Sequence, residues 1–230
     1  MLGPTAVGKS SILYTLFSPD EVLVISADSI QVYRELNIVS ATPPSAILEK
    51  FPHVLVNQIN PSDEFSVNQF LESSDQALNE ALKQNRFPVV SGGTGMYLNA
   101  FLFGMNEMPP KNTEFRQRMR KRAEQTSRDQ IHRELAEIDP RSAEKIHPND
   151  LKRTIRALEI YHETGDTKTQ RIRDSNGKQL RESIDPEIIG LERPDRELKQ
   201  RIRNRIEQMI QSGLIEEIDS IRQKWQVGKT

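Results

Sequence analysis

Gly3 to Ser10 read "GPTAVGKS", which fits the pattern G-x-x-x-x-G-K-[ST]. Gly3, Pro4, Thr5, Ala6, Val7, Gly8, Lys9 and Ser10 therefore form a candidate anion cradle. Backbone N–H groups can converge on a phosphate only where glycine lets the chain turn and approach closely. Lys9 adds a mobile positive charge, and the Ser10 hydroxyl is a hard oxygen suited to Mg²⁺. The helical pattern "ILYTLF" follows, as the motif requires. The loop specifies a phosphate chain with a divalent cation; it does not specify ATP. A hydrolytic NTPase needs a further acid at the end of an apolar strand. The strand pattern "PVVS" ends in Ser91 and "GGTG" without one, whereas "VLVIS" leads to Asp28.

Asp28 opens "DSIQVY" (28–33), eighteen residues after Ser10. A carboxylate there can serve as a base, face a metal or cap its own turn. "GGTG" (92–95) brings Thr94 to a tight strand–helix turn, where steric need explains the glycines as well as binding does. In "HPNDLKRTIRALE" Leu151, Ile155 and Leu158 share one helical face, and Lys152, Arg153 and Arg156 roughly the opposite one. A basic stripe of this kind is also ordinary for a surface helix. The run "EFRQRMRKR" around Arg116 reads as a solvated face. The histidines at 53, 132, 147 and 162 have no metal-ligand spacing.

The elements that must carry these residues alternate. "VLVIS" (22–26), "HVLVNQI" (53–59) and "PVVS" (88–91) read as strands. Over 66–85 Val67, Phe70, Leu71, Ala77, Leu78, Ala81 and Leu82 fall at three- and four-residue spacing, which predicts a helix, and Ser66 with Gln69 gives it a capping-box start. Strands separated by helices predict an α/β fold with a parallel sheet covered on both faces. After Pro109–Pro110 the chain turns helical and charged until "EIIGLE" (187–192) restores a strand pattern; Ser127 with Gln130 predicts a second capping box. The expected organisation is a discontinuous core, 1–110 and 183–230, interrupted by a mainly helical insertion, 111–182.

Charge follows the same division. Residues 1–110 hold five Lys/Arg against eleven Asp/Glu, and residues 111–182 hold eighteen against thirteen. A basic middle segment suits a polyanionic partner, although interleaved acids also fit solvated helices with ion pairs. The absence of cysteine removes disulfides and thiolate metal sites and fits a reducing compartment. No run of about 18 apolar residues exists, so no membrane association is expected.

"GPTAVGKS", "DSIQVY", "GGTGMYL" (92–98), "IHPNDLKRTIRALE" (146–159) and "GLIEEI" (213–218) occur in an order that resembles the tRNA dimethylallyltransferases, the isopentenylpyrophosphate transferase family. The resemblance runs from residue 3 to about residue 220. It implies a P-loop NTPase-like fold turned away from ATP hydrolysis, in a monomeric cytoplasmic enzyme. Gly3–Ser10 would hold the diphosphate of dimethylallyl diphosphate with Mg²⁺ on Ser10, and the prenyl group would pass to N6 of adenosine 37 in the tRNA anticodon stem-loop. Asp28 would act as base, with Lys9 and Thr94 as the other catalytic residues. Asp28, Ser29, Ile30, Gln31, Thr94, Arg116, Lys152, Arg153, Thr154, Ile155 and Arg156 would meet the tRNA.

The chain departs from the family pattern in places. "VSATP" (39–43) stands where the family commonly reads G-T-A-K-P, so Thr42 replaces a cation, and "PHVL" (52–55) stands for P-H-H-L. Only Met1 and Leu2 precede the loop, and the family's R-Q-x-T-W region is not found, so a shortened chain is expected. The alternatives are prenylation of free AMP, ADP or ATP, a P-loop kinase, and a tRNA-binding module without catalysis. The basic insertion favours tRNA over a mononucleotide.

Overall fold

The computed structural model describes residues 1–105, 108–174, 180–182 and 184–225. It divides into two compact units: Met1–Gly104 with Leu180–Thr230, and Met105–Gln179. The second unit begins and ends earlier than the expected 111–182. Arg181 belongs to the first unit because its N–H donates to the Leu102 carbonyl at 2.9 Å and its guanidinium meets Asp75 at 2.7 Å. Ser183, where the core was expected to resume, lies outside the described residues, as do 226–230.

The first unit is built from α1 (Lys9–Leu16), β1 (Val22–Ala27), α2 (Ser45–Leu48), β2 (His53–Val54), α3 (Val67–Lys83), β3 (Phe87–Gly92) and α4 (Gly95–Phe103). The second holds α5 (Thr113–Gln125), α6 (Arg128–Ile138), α7 (Pro140–Lys145), α8 (Leu151–Thr164) and α9 (Lys168–Asp174); α10 (Asp195–Gln211) and α11 (Leu214–Trp225) return to the first.

The sheet runs β2-β1-β3, all parallel, with β1 buried along its whole length. Period-two alternation divides β1 between two cores. Leu23, Ile25 and Ala27 pack with Phe70, Ala77 and Ala81 of α3 and with Tyr97 and Phe101 of α4. Val22 and Val24 pack with Leu13 of α1, Phe51 and Val89. A continuous apolar run at 22–25 is therefore what a strand covered on both sides needs. Gly92 is fixed by that closeness: a Cβ there would stand 2.2 Å from the Ala27 carbonyl oxygen.

Two expected strands are corrected. β2 stops at Val54 because Leu55 and Asn57 take positive φ, 67° and 53°, and turn the chain out of the ladder. Within 187–192 only Gly190 pairs, through a bridge to Leu2. Leu2 bridges Gly92 on its other side, so this short segment lies between β3 and Gly190. An apolar cavity of about 770 Å³ extends beside Met1, between β3 and 184–189. Ser66 forms the full capping box with Gln69; Ser127 accepts from the Gln130 N–H, the hydroxyl half of the predicted box.

The second unit is helical among its described residues. Phe115, Met119, Ile131, Leu135, Ile155 and Leu158 form its core. Glu159 is fully buried there and accepts from the Asn112 N–H at 2.7 Å and from Arg116 Nε and Nη2 at 2.7 and 2.6 Å; Arg156 Nη1 binds it too. Burial works against this carboxylate, but the Arg116 and Arg156 hydrogen bonds prevail and hold its pKa below the usual range. No helix among the described residues is long and apolar enough to cross a membrane.

Candidate active site

The phosphate loop is shaped by cations on its carbonyls. Lys9 Nζ donates to the Gly3 and Pro4 oxygens at 2.8 and 3.1 Å. Arg201 Nε holds the Ala6 oxygen at 2.8 Å, and Arg193 Nε the Val7 oxygen at 2.7 Å. Gly8, at φ 109°, is the N-cap of α1 and offers no side-chain cap, so first-turn N–H groups remain for an anion. Gly3 is needed too, since its Cβ would lie 2.7 Å from the Leu191 oxygen. Burial pushes the Lys9 ammonium below its ordinary pKa; Asp28 opposes that shift and Arg205 adds to it.

Asp28 leaves β1 directly after Ala27. Its Oδ1 accepts from the Ile30 and Gln31 N–H groups at 2.9 and 3.3 Å, so the carboxylate caps its own turn. Thr94 locks that turn to the end of β3: its Oγ1 accepts from the Ser29 N–H at 3.0 Å and its N–H donates to the Ala27 oxygen at 3.1 Å. Gln31 accepts from Ser26 Oγ at 2.8 Å, while Ile30 is exposed.

These pieces meet in one cavity of about 900 Å³ in the first unit, lined by Lys9, Ser10, Asp28, Gln31, the 37–44 segment and one stripe of α10. That stripe is Arg201, Asn204, Arg205, Gln208, Met209 and Ser212, a helical spacing. Sequence reasoning assigns no role to Arg193, Arg201 or Arg205; Arg193 and Arg201 act on loop carbonyls far away in the chain.

Within the second unit the expected nucleic-acid residues separate. Lys152 and Arg153 are exposed, with Arg153 paired to Asp150 at 2.9 Å. Arg116 and Arg156 are turned inward onto Glu159. Ile155 lies in the core, and Thr154 is buried with its hydroxyl on the Asp150 oxygen at 2.9 Å, so neither side chain is open to a partner. Both follow from their positions on the apolar side of α8.

The cavity's donors are hard oxygens, Ser10 hydroxyl and Asp28 carboxylate, and the described residues contain no group of three His, Asp or Glu that could hold a metal alone. That suits Mg²⁺, which keeps water and substrate phosphates among its ligands.

A glycine loop running into a helix, a lysine at its head and a parallel sheet beneath it define a P-loop-like α/β protein. The IPP transferase profile matches residues 31–229, and the chain belongs to that family. It is 40% identical over 225 residues to a tRNA dimethylallyltransferase of Natranaerobius thermophilus, covering 95% of this chain and 65% of the relative. It is 38% identical to that of Alkaliphilus metalliredigens, covering 96% and 70%. The chain thus spans about two thirds of these curated relatives. Among solved structures, the tRNA isopentenylpyrophosphate transferase of Bacillus halodurans aligns at TM-score 0.59 and 32% identity, over 97% of this chain and 69% of that one. A eukaryotic dimethylallyltransferase acting on tRNA aligns at TM-score 0.78 and 29% identity, over 97% and 55%.

Proposed function

We propose that this chain transfers a dimethylallyl group from dimethylallyl diphosphate to N6 of adenosine 37 in tRNA, giving N6-(dimethylallyl)adenosine. The observation that carries the reading is a single cavity joining an anion cradle, two α10 arginines and the carboxylate of Asp28. The names of the curated relatives support the same reaction.

The N6 amine is a poor nucleophile because its lone pair is delocalised into the ring. In the proposed step N6 attacks C1 of the prenyl group, and the N–C bond forms as the C1–O bond breaks. The electron pair leaves with diphosphate, and the N6 proton passes to Asp28. Lys9, Arg201, Arg205 and the first amides of α1 meet the charge that develops on the leaving group. Ser10, with diphosphate oxygens, would hold Mg²⁺, which when bound neutralises part of that charge. Thr94 keeps the Asp28 turn in place, and Ser29, Ile30 and Gln31 border the target base. Lys152 and Arg153 offer exposed charge to the tRNA backbone.

The test is incubation with dimethylallyl diphosphate and either tRNA or AMP, followed by mass analysis of the nucleosides. A prenylated adenosine from tRNA is expected. Product from AMP alone would make the chain an adenylate prenyltransferase, and phosphoryl transfer from ATP without prenyl product would make it a kinase.

A further inference from the structure

The motif "GLIEEI" (213–218) contributes nothing to the chemistry above, yet one of its carboxylates performs an unusual task. Glu217, half-buried on α11, accepts three successive backbone N–H groups from the far end of the sequence. Its Oε2 lies 2.8 Å from Asn37 N and 2.8 Å from Ile38 N; its Oε1 lies 3.1 Å from Ile38 N and 3.0 Å from Val39 N. Consecutive N–H groups turned to one side make a concave anion site, and here a side chain of the same unit fills it.

The segment so gripped is a wall of the diphosphate cavity. It has no sheet partner, and Glu35 and Ala41 at its two ends take positive φ, 65° and 48°, which non-glycine residues seldom adopt unless held there. The holds come from opposite sides. Gln31 Nε2 reaches the Ser40 and Ala41 oxygens, both at 3.4 Å, from the Asp28 turn. From α11, Glu217 takes the amides while Lys224 and Trp225 hold the Glu35 carboxylate. Gly213, at φ 95°, opens α11 with room for Ile38 beside it: Ile38 Cδ1 would stand 4.0 Å from a Cβ there.

The cavity is also divided by chemistry. Lys9, Arg201 and Arg205 carry its positive charge, whereas Ile38, Ala41 and Pro44, with Met209 of α10, carry its apolar surface. Ile38 and Ala41 belong to the gripped segment, and Pro44 follows it in the chain. We propose that Glu217 is a positioning residue for this cavity: by collecting the amides of Asn37, Ile38 and Val39 it fixes the apolar wall that receives the hydrocarbon part of an alkyl diphosphate. The inference rests on the prenyl-transfer reading for its ligand, and on the hydrogen bonds alone for its mechanics. The diphosphate end is held by other elements, so removing Glu217 loosens the alkyl subsite selectively.

The experiment uses the full chain and compares Glu217→Ala, Glu217→Asp and the neighbouring exposed control Glu216→Ala. Calorimetric titration with dimethylallyl diphosphate and with inorganic diphosphate, both with Mg²⁺, is paired with amide hydrogen exchange at Asn37–Val39. E217A is expected to weaken the prenyl ligand about tenfold while inorganic diphosphate stays within about twofold, with faster exchange at 37–39. E217D should restore part of the loss and E216A should change nothing. Equal loss of both ligands with a lower melting midpoint would reduce Glu217 to a structural residue, and parental prenyl affinity in E217A would overturn the proposal. If the parent binds inorganic diphosphate but no prenyl diphosphate, the functional reading fails; exchange at 37–39 unchanged in E217A would then overturn the hold by Glu217, and faster exchange would sustain it.

Discussion

In the proposed reaction Asp28 does two things with one carboxylate. Oδ1 is committed to the Ile30 and Gln31 amides, which fixes the group's orientation. Proton removal from an amine needs a basic oxygen, and in the proposed reaction the same carboxylate supplies it. Substitution by alanine would mix the two roles, since loss of such a cap costs about 1 kcal/mol of local stability. Asparagine separates them: its carbonyl oxygen can still accept from the turn, but the amide cannot take up a proton. Asp28→Asn is therefore expected to keep its melting temperature and diphosphate affinity while single-turnover prenyl transfer falls by about 10²–10⁴-fold. A variant as fast as the parent would remove Asp28 from the chemistry and leave it as a turn cap. The cradle and Asp28 were readable because each motif is continuous in sequence. Arg193, Arg201 and Glu217 were not, because each meets backbone groups some 180 residues or more away, and one sequence carries no mark of that pairing.

At the level of elements, β1 was legible because burial on both faces demands an unbroken apolar run, and β3 because Val89 and Val90 pack on opposite cores. β2 was overextended because "HVLVNQI" has strand composition and only the positive φ at Leu55 and Asn57 ends it. What β2 does provide is His53, whose ring lies against α1. Nδ1 lies 2.6 Å from the Phe51 carbonyl, so it must donate; Nε2, 3.0 Å from the Tyr14 hydroxyl, then accepts from it. Burial pushes the imidazole below its ordinary pKa, with the Phe51 carbonyl opposing that, and burial raises the Tyr14 phenol to about 12. The neutral ring is the one that fits. Between the lowered folded value and the ordinary 6.5 the unfolded chain binds the extra proton, so this contribution to stability is complete above 6.5 and declines as pH falls below it. Thermal unfolding followed from pH 8 to pH 5 (about three units) should show the midpoint dropping below about 6.5, and His53→Gln should flatten that drop. An equal slope in the variant would show that other groups carry it.

For the molecule as a whole, charge is divided between the two units. Met105–Gln179 holds seventeen Lys/Arg against thirteen Asp/Glu, while the remainder, which contains the phosphate loop, is net negative. A count of cations overstates what the helical unit can offer to RNA, because burial has already spoken for some of them. Arg116 and Arg156 have side chains only 23% and 28% exposed and share the fully buried Glu159, whereas the Arg153 side chain is 73% exposed. Two kinds of arginine therefore predict two kinds of failure. Neutralising Lys152 and Arg153 together should lower tRNA affinity at low salt and reduce the slope of log affinity against log salt by about 1.4, about 0.7 for each phosphate that goes unneutralised on a single-stranded loop. The melting midpoint should hold, since the Asp150 cap on α8 runs to the Arg153 backbone N–H and survives the substitution. Arg116→Ala should instead cost about 3 kcal/mol of stability by leaving a buried carboxylate short of a partner. Filter binding of tRNA across a salt series, beside urea unfolding of the same samples, separates the two. A salt slope unchanged in the Lys152/Arg153 variant would move the RNA-binding face away from the start of α8.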